Sequence, residues 1–487
     1  MKAYETTSIG SNRGRPRLWL QGSKPAMAGF NPGLRFNIHK DAERNMLTLA
    51  VSPNGTHGVC QKVARNGQSV PVIDINSSEV LSIFEGFNAV RVIVQAGKIY
   101  ILPEAVEIAK KERLQRLRSK ITAGDALNCG SVSHGGGVLD HALHSGLEVA
   151  GIKTRLAFAN EIRPELLEHA RAHNGIWDES TVPLAAPVQT LAFDEWAMSK
   201  LPKVEVLVAG LPCSGASRAG RAKNGAGHAE AHPEVGHLVV AFLAVIAKVN
   251  PAVVVFENVT NYANAASMCI MRNQLRDFGF VVHETVVKAQ DWNVLEHRER
   301  MCMVAVTEGL EFDFAALKRP EHVERRIADI LDEVAPDSPM WSTMQGLKDK
   351  EVRDKENGKN FMMQIVKNDS SKCPTITKSY SKIRSTDPKL QHPNDPSLLR
   401  QFTPDEHARI KGIPVSLIEG LPQTIAHEVL GQSICYDPFR EVGRCLGLFL
   451  TGAQEVLSVI SKAMESARLL EVPEATQPCQ ESMQLFA

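Results

Sequence analysis

The chain has 487 residues, of which 43% are hydrophobic and 23% are charged, and Lys plus Arg equals Asp plus Glu at 55 each. This length exceeds what one ordinary hydrophobic core organises, so two or three domains are expected. The balanced charge excludes a uniformly basic protein, and any nucleic-acid surface must come from local segregation of charge.

The cysteines and the apolar runs exclude further classes of protein. Nine cysteines form no paired CxxC frames, which argues against a disulfide framework and against a zinc site. No apolar run approaches the roughly 20 residues of a membrane helix, and the N-terminus lacks the apolar core of a secretory signal. We therefore expect a cytoplasmic protein with free thiols, no metal and no membrane partner.

The N-terminal hundred residues contain two similar passages. Residues 1–14 are polar and are expected to be disordered. Residues 15–104 give a strand, a short helix or turn and a hairpin twice, once over residues 17–51 and again over residues 70–103. Neither half has enough apolar surface to fold alone, so the sequence predicts that the two close into one small barrel.

This arrangement resembles the swapped-hairpin domains of AbrB-type transcription regulators and SymE-type toxins. The resemblance implies a barrel that binds nucleic acid. A barrel used for packing or for self-association is the alternative, and the sequence leaves both open.

Residues 105–124 are basic and predict a connecting helix. Residues 125–310 alternate short apolar strands with helical stretches, which is typical of an α/β domain with a parallel sheet covered by helices on both faces. The predicted strands are Thr154–Ala159, Val204–Ala209, Val253–Phe256, Phe280–Val287 and Met301–Val306, and the predicted helices are Pro164–His173 and Pro233–Val249. Ligands bind beyond the carboxyl ends of such strands, where Glu161, Pro212, Cys213 and Glu257 stand.

Four short motifs follow one another along this part of the chain. They are Pro212-Cys213, Phe256-Glu257-Asn258-Val259, Glu296-His297-Arg298-Glu299-Arg300 and Gly431-Gln432-Ser433-Ile434. In order and spacing, over residues 126–450, they resemble the DNA cytosine-5 methyltransferase family. The resemblance implies a Rossmann-like core over residues 125–310 that uses S-adenosylmethionine, a target-recognition region over residues 311–400, a return to the core over residues 401–465 and a tail after residue 466.

The resemblance assigns Cys213, Glu257, Arg298 and Arg300 to catalysis. Cytosine C5 is a poor nucleophile until a thiolate adds at C6, and Cys213 is the expected thiolate. An acid at N3 stabilises the charge that this addition creates, and Glu257 takes that role if its pKa is raised. Arg300 and Arg298 would hold the O2 side of the base and brace the glutamate; the alternative is a structural salt bridge with Glu296 or Glu299.

The expected substrate is double-stranded DNA, from which the target base must be flipped out. A small, glycine-rich and basic stretch follows Cys213, and residues 348–392 carry eleven Lys and Arg against six Asp and Glu. These two segments supply the expected DNA contacts, namely Ser217, Arg218, Arg221, Lys223, Thr375, Thr377 and Lys378. After them, Thr403 and Glu406 form a capping box that starts a helix. Whether a restriction enzyme accompanies the protein is left open.

The family resemblance also places S-adenosylmethionine. The expected contacts are Asn128, Gly130, Glu161, Pro212, Gly431, Gln432 and Ser433, with Glu161 on the ribose hydroxyls. Residues 128–137 depart from the usual family pattern, and Gln432 stands where the family usually has Asn. Two alternatives therefore remain: a methyltransferase that acts on cytosine in RNA, and a DNA-binding regulator whose cofactor site is degenerate.

Overall fold

The computed structural model describes residues 1–63, 67–87, 89–212, 229–359 and 361–452. The chain divides into two compact units, Met1–Arg113 and Leu114–Ala487. The N-terminal unit contains β1 (Ala3–Ser8), β2 (Gly10–Asn12), β3 (Arg15–Gln21), α1 (Ser23–Met27), β4 (Arg35–Asp41), β5 (Met46–Val51), β6 (His57–Gly58), β7 (Cys60–Val63), β8 (Ser69–Ile75), α2 (Ser78–Leu81), β9 (Ala89–Gln95) and β10 (Lys98–Pro103), with a 3-10 turn at Ser82–Phe84.

Two antiparallel sheets form the N-terminal unit as far as it is described. One has the order β1-β9-β10-β5-β4-β6 and the other the order β2-β3-β8-β7. Both contribute to one hydrophobic core, in which Leu18, Phe30, Leu49, Ile73 and Ile101 are buried. The alternating apolar residues that predicted the hairpins therefore face one core, which lies between residues of both sheets.

The prediction of disorder for residues 1–14 is wrong. Strand β1 pairs with β9 in antiparallel register from Ala3 opposite Val94 to Ser8 opposite Ala89. The alternate exposure of β1 residues shows a strand with one face toward the core. Backbone hydrogen bonds to β9, a strand about 85 positions later in the chain, order this polar segment. The local composition gives no sign of this pairing.

The two halves of the N-terminal unit repeat one order of elements and pair with each other. Each half gives a strand, a short helix and a hairpin, so β3 corresponds to β8 and β5 to β10. These corresponding strands pair with each other: Leu18 lies opposite Ile75 on one side, and Leu49 opposite Ile99 on the other. Neither half completes its own sheets without the other.

The helix α3 (Ala105–Ala123) spans the segment predicted as a connecting helix. Beyond it lie β11 (Leu127–Val132), α4 (Val138–Val149), β12 (Thr154–Glu161), α5 (Pro164–His173), β13 (Val182–Ala185), α6 (Val188–Ala192), α7 (Glu195–Lys200), β14 (Val206–Ala209), α8 (Leu238–Val249), β15 (Val253–Asn258), α9 (Ala266–Asp277), β16 (Phe280–Lys288) and β17 (Glu299–Thr307). The seven described strands form one sheet with the order β13-β12-β11-β14-β15-β17-β16.

The sheet is mixed, which corrects the prediction of a parallel sheet. Strands β13, β12, β11, β14 and β15 are parallel, whereas β17 is antiparallel to both β15 and β16. Only residues 289–298 join β16 to β17. A parallel crossover needs about a dozen residues or more, so this short connection makes the pair antiparallel.

The central strands are buried on both faces. In β14 and β15, Val208 and Val255 face one core, and Leu207 and Val254 face the other. Helix α4 covers the first face and helix α8 the second. These near-continuous apolar runs are typical of strands inside an α/β sheet, and they hold the carboxyl ends of β11, β12, β14 and β15 at one edge.

Residues 311–400, predicted to be the target-recognition region and called the recognition region below, are largely irregular. This region contains α10 (Gln345–Glu356), β18 (Ile365–Val366), β19 (Lys389–Gln391) and β20 (Leu399–Arg400), and its own small core includes Ile376, Tyr380 and Leu390. Then come α11 (Pro404–Ile410), α12 (Gln423–Gln432) and a helix over residues 436–452, here α13. Further 3-10 turns lie at Ala229–Ala231, Thr260–Asn264, Ala289–Trp292, Phe314–Ala316, Ile327–Ile330 and Val415–Ile418.

The capping box predicted before α11 is confirmed. In the parts of the chain that are described, no helix combines the length and apolar character needed to cross a bilayer.

Candidate active site

The turn that leads to Cys213 begins at the carboxyl end of β14. Leu211 is buried, and its carbonyl oxygen accepts a hydrogen bond from Asn258 Nδ2 at 3.0 Å. Asn258 is itself buried at the end of the neighbouring β15. This bond fixes the turn to the next strand as far as Pro212, the last residue described before the gap at 213–228.

Five predicted site residues lie in that gap, outside the described residues: Cys213, Ser217, Arg218, Arg221 and Lys223. Their assignments stay predictions.

Glu257 lies beside this turn. Its Oε1 is 2.8 Å from Arg300 Nε, and both side chains are largely buried. A Cβ atom on Gly210 would stand 3.5 Å from Glu257 Oε2, so the carboxyl group is close to the backbone that leads into the turn. Antiparallel pairing of β15 with β17 brings Arg300 to this position.

Burial raises the pKa of the Glu257 carboxyl group. Arg300, and more weakly Arg298 and Lys411, oppose that shift because their positive charges favour the carboxylate. The raised pKa means that burial outweighs these cations and that the neutral acid is favoured more than in water. At any given pH a larger fraction of such a group is protonated, which suits a proton donor.

Arg298 has a different environment from Arg300. Its Nη2 donates to the carbonyl oxygen of Gly431 at 2.7 Å, and its Nη1 lies 3.3 Å from Glu296 Oε1. The side chain is buried. Both terminal nitrogens are thus engaged by protein groups, and the contacts agree with the structural salt bridge to Glu296 rather than with the catalytic role expected for Arg298.

Glu296 is the centre of a buried ionic network, of which the sequence suggested only the salt bridge with Arg298. Its Oε2 accepts from Lys411 Nζ at 2.8 Å, and its Oε1 accepts from the backbone N–H of Ile376 at 2.8 Å. Glu296 and Lys411 are fully buried. Lys411, Arg298 and their hydrogen bonds hold the pKa of Glu296 below its usual range despite its burial, while burial lowers the pKa of Lys411 to about 8.

The predicted recognition contacts run beside this network. Thr375 Oγ1 donates to the carbonyl oxygen of His297 at 2.8 Å, and Cys373 bridges to Glu296 in parallel register. The backbone N–H of Thr377 donates to Asp387 Oδ1 at 3.3 Å, and the side chain of Lys378 is exposed. The recognition region is therefore tied to the motif that carries Arg300, whereas its contacts with nucleic acid stay a prediction.

The loop after β11 folds around Glu161. Oε2 of Glu161 accepts from the backbone N–H of Gly135 at 2.9 Å, and Oε1 accepts from those of Ile162 and Arg163 at 3.0 and 3.2 Å. Gly137 has a φ of 73°, and a Cβ there would lie 2.5 Å from His134 Nε2. Glycine is required at that position, and the carboxylate of Glu161 is fixed at the same sheet edge as Glu257.

Two residues predicted to bind cofactor lie elsewhere. Asn128 is at the amino end of β11, where its Oδ1 accepts from Arg155 Nη2 at 2.9 Å. Gly130 is inside the strand, and a Cβ there would stand 2.5 Å from the ring of Phe158. Strand β11 ends only at Val132, so both positions precede the edge at which the loop begins. We correct these two assignments accordingly.

Gly431, Gln432 and Ser433 end or follow helix α12. Gly431 packs against the backbone of Thr377 and Lys378 with no room for a Cβ, Gln432 is exposed, and Ser433 Oγ donates to the Val429 carbonyl oxygen at 2.7 Å. On another side of the helix, Val429 fills the space at Gly136. The helix thus contacts both the glycine loop and the recognition region.

A buried histidine beneath the glycine loop was also missed. Trp177 Nε1 donates to His134 Nε2 at 3.2 Å, so the His134 proton is on Nδ1, which lies 3.0 Å from both Ser131 Oγ and Asp140 Oδ2. These groups hold His134 in one orientation under the loop. In the sequence, the one sign of this structural role is that His134 directly precedes Gly135, Gly136 and Gly137.

The C-5 cytosine-specific DNA methylase family matches residues 141–447, which is more than half of the chain. The chain belongs to this family. The matched residues include Glu161, Pro212, Cys213, Glu257 and Arg300. The N-terminal unit and the glycine loop at residues 133–137 precede the match.

Relatives and a solved structure agree with this membership. The chain is 25% identical to the type II methyltransferase M1.ScrFI of Lactococcus lactis subsp. cremoris over 273 residues, 54% of this chain and 64% of that protein. It is 24% identical to the type II methyltransferase M.NlaX of Neisseria lactamica over 322 residues, 64% of this chain and 94% of that protein. The chain thus spans less than two thirds of the length of M1.ScrFI.

The Dnmt2 methyltransferase of S. pombe shares the fold, with a TM-score of 0.52 and 21% identity over 67% of this chain and 99% of that one. This likeness supports the mixed α/β architecture of the family.

Proposed function

We propose that the protein is a DNA cytosine C5-methyltransferase that transfers a methyl group from S-adenosylmethionine to a flipped-out cytosine through a covalent bond with Cys213. One observation carries the proposal: a buried carboxyl group with a raised pKa, Glu257, lies beside the turn that leads to the cysteine and is oriented by Arg300. Family membership supplies the reaction class.

The residues have distinct roles in the proposed reaction. The thiolate of Cys213 forms a bond to C6, and Glu257 donates a proton at N3, so that the electron pair from the ring makes C5 nucleophilic. S-adenosylmethionine supplies an electrophilic methyl group to C5. The methyl donor would leave as the neutral thioether. Water then accepts the C5 proton, the freed electron pair forms the C5–C6 double bond and expels the thiolate, and N3 returns its proton to the Glu257 carboxylate, which restores the aromatic ring. Arg300 orients the acid through its 2.8 Å ion pair.

Glu161 and the glycine loop fit the cofactor. A carboxylate that backbone N–H groups hold at the edge of the sheet can also accept hydrogen bonds from ribose hydroxyls. Glycines at 135–137 let the backbone approach a ligand closely. Pro212, Gly431, Gln432 and Ser433 remain proposed cofactor contacts. Pro212 follows β14 at this edge, and helix α12, which carries Gly431 and Gln432, meets the glycine loop through Val429.

Double-stranded DNA is the proposed substrate. The excess of five positive charges over residues 348–392 supports binding to phosphates. Thr375, Thr377 and Lys378 would contact DNA from the recognition region, and Ser217, Arg218, Arg221 and Lys223 from the segment after Cys213. A companion restriction enzyme is a further proposal, in line with the type II names of the relatives.

The N-terminal unit is proposed to be a swapped-hairpin domain of the AbrB or SymE type. The pairing of β3 with β8 and of β5 with β10 supports two interlocked halves. Residues 1–113 carry 15 Lys and Arg against nine Asp and Glu, so the unit is basic although the chain is neutral. This charge favours nucleic-acid binding over self-association alone.

Bisulfite sequencing of DNA from cells that express the chain tests the function directly. Protected cytosines at one recurring site are expected with the native chain and are expected to vanish with Cys213→Ser. Cys269, an exposed cysteine, offers the matched control, since Cys269→Ser should leave methylation intact. Methylation confined to RNA would favour the RNA alternative, and absence of S-adenosylmethionine binding in calorimetry would favour the regulator.

A further inference from the structure

The glycine loop between β11 and α4 has a backbone that needs support from its surroundings. Ser133 has a φ of 58° and Gly137 a φ of 73°, and both values lie in the left-handed region. A residue with a side chain, such as Ser133, rarely adopts that conformation and keeps it only where neighbouring groups hold the chain in place. The groups beneath the loop therefore decide its shape.

His134 connects the loop to the strand that carries Glu161. Its backbone N–H donates to the carbonyl oxygen of Asn160 at 2.9 Å, and its own carbonyl oxygen accepts from the N–H of Gly137 at 2.8 Å. Asn160 lies in β12 directly before Glu161. One residue thus links the far end of the loop to the end of β12.

The imidazole ring of His134 is fixed from two sides. Trp177 Nε1 donates to Nε2 at 3.2 Å, with the two rings edge to face and their centroids 5.5 Å apart. On the other side, Nδ1 lies 3.0 Å from both Ser131 Oγ and Asp140 Oδ2. His134 is 5% exposed and Trp177 is 9% exposed. Rotation of the ring would break buried hydrogen bonds, which is costly.

The segment after α5 supports the loop at a second point. Asn174 Nδ2 donates to the carbonyl oxygen of Gly137 at 3.2 Å, and the Asn174 carbonyl oxygen accepts from the N–H of Trp177 at 3.0 Å. A Cβ on Gly137 would stand 2.5 Å from Asn174 Nδ2 and 2.5 Å from His134 Nε2. The loop therefore rests directly on these side chains, and a shift of either one displaces Gly137.

Such a shift also reaches Glu161. The N–H of Gly135, the residue after His134, donates to Glu161 Oε2 at 2.9 Å. This carboxylate is the proposed acceptor for the ribose hydroxyls. A change at His134 is thus passed to the two groups proposed to contact the cofactor, the glycine backbone and Glu161.

We propose that His134 and Trp177 are positioning residues for S-adenosylmethionine. They hold the glycine loop and Glu161 in the shape that binds the methyl donor. Because both side chains are buried, they act through the loop and not by contact with the ligand. The identity of that ligand rests on the proposed function.

The experiment is calorimetric titration of the full chain with S-adenosylhomocysteine, the thioether that remains after methyl transfer, so that binding is measured without reaction. Trp177→Phe keeps a ring but loses the N–H donor, and His134→Leu removes both ring nitrogens at similar volume. Each should weaken binding by about fivefold or more, since a buried hydrogen bond is lost. His134→Gln can offer an acceptor near the position of Nε2 and should recover most of the lost affinity.

Two exposed residues provide matched controls. Trp196 is 73% exposed and His322 is exposed, so Trp196→Phe and His322→Leu should leave the affinity unchanged. Folding of each variant is checked by circular dichroism. If His134→Leu does not fold, Trp177→Phe decides the question, because it keeps an aromatic ring in place.

Steady-state methylation separates positioning from a general loss of structure. In Trp177→Phe, the KM for S-adenosylmethionine should rise by the same factor as the Kd, whereas kcat at saturation and the affinity for DNA should stay within about twofold. A general loss of structure would weaken DNA binding as well, and His134→Gln would not repair it.

The outcomes also separate this inference from the proposed function. Native affinity for S-adenosylhomocysteine in both Trp177→Phe and His134→Leu, equal losses for cofactor and DNA, or no recovery in His134→Gln would overturn the inference alone. A native chain that binds the ligand and shows the expected losses but methylates no DNA would refute the proposed function and support the positioning role. A native chain that does not bind the ligand would refute both.

Discussion

At the residue scale, the proposed chemistry depends on the protonation of Glu257. We predict that Glu257→Gln lowers the methylation rate by about 10²- to 10⁴-fold, because the amide keeps the shape of the side chain but cannot transfer a proton. DNA binding should change little. Single-turnover methylation and a DNA-binding titration measure the two effects.

The matched control is Glu299→Gln, which changes an exposed carboxylate next to Arg300 in the neighbouring strand β17. Equal losses of rate in both variants would refute the acid role of Glu257.

Burial raises the pKa of this acid, and Arg300 opposes that rise. Its positive charge lowers the Glu257 pKa, so Arg300→Gln should raise that pKa further. A higher pKa keeps the acid neutral to more alkaline pH, and the alkaline limb of the rate profile should move upward even though the maximal rate falls. Methylation rates measured across pH test this, and a downward shift would contradict it.

The sequence predicted part of the site at this scale. Glu257 could be placed because it follows a continuous apolar strand and belongs to a recognisable motif. Arg298 and Arg300 stand in the same motif, yet only the structure shows that Arg298 is held by Glu296 and Gly431. Asn128 was misplaced because β11 runs to Val132, and element ends cannot be read from composition to within a few residues.

At the element scale, the ion pair between Glu296 and Lys411 joins the segment just before β17 to the end of helix α11. Breaking a buried pair by removing one partner costs about 3–5 kcal/mol. Glu296→Gln should lower the free energy of unfolding by about that much, because it leaves Lys411 and Arg298 uncompensated. Lys411→Met should lower it less, since Glu296 keeps Arg298.

The double variant Glu296→Gln with Lys411→Met should be more stable than the sum of the single effects predicts, because no buried charge of the pair remains. Urea denaturation measures all three. The exposed pair Glu324–Arg326 supplies the control: Glu324→Gln should change stability by less than about 0.5 kcal/mol. Additive losses would show that the two charges do not interact.

Helices α11 and α12 also meet through two buried histidines, His407 and His427, whose Nδ1 atoms are 3.1 Å apart. Burial holds the pKa of His407 well below its usual value and lowers that of His427 to about 4. Below pH 6.5 the unfolded chain therefore takes up protons that the folded chain does not. Stability should fall with decreasing pH from 6.5 toward 4, by about 1.4 kcal/mol per pH unit for each such histidine.

Urea denaturation at pH 7 and pH 5 tests this slope. His427→Leu should reduce it, whereas His322→Leu, at an exposed position, should not. An unchanged slope in His427→Leu would contradict the account.

Elements of the core were predictable where the pattern is local. The helix at Pro164–His173 was predicted with the bounds that the structure gives, and β15 and β16 within two residues. The antiparallel direction of β17 could have been inferred from its short connection to β16. Helix α8 begins at Leu238, five residues after its predicted start, because the apolar run rather than Pro233 marks the packed part.

At the scale of the whole molecule, contacts between distant residues limited the predictions. Pairing of β1 with β9 orders a polar N-terminus, and Lys411 meets a carboxylate 115 positions away. Neither can be seen in a local window. The repeated order of elements in the N-terminal unit was predictable because the apolar pattern of residues 17–51 recurs over residues 70–103. The internal duplication itself stays a prediction.

The family match begins at residue 141, so the N-terminal unit lies outside the matched residues. Its excess of six positive charges is balanced by the remainder of the chain. The local segregation of charge that a neutral DNA-binding protein requires is thus present in two places, the N-terminal unit and residues 348–392.

Capture of the covalent intermediate tests the central claim most directly. Fluorine at C5 prevents the final loss of a proton, so the native chain, S-adenosylmethionine and duplex DNA containing 5-fluorocytosine at the methylated site should give a stable adduct. Mass spectrometry after trypsin should find the modified base on the peptide of residues 204–218, at Cys213, and none in Cys213→Ser. Methylation without an adduct at Cys213, or an adduct at another cysteine, would contradict the account.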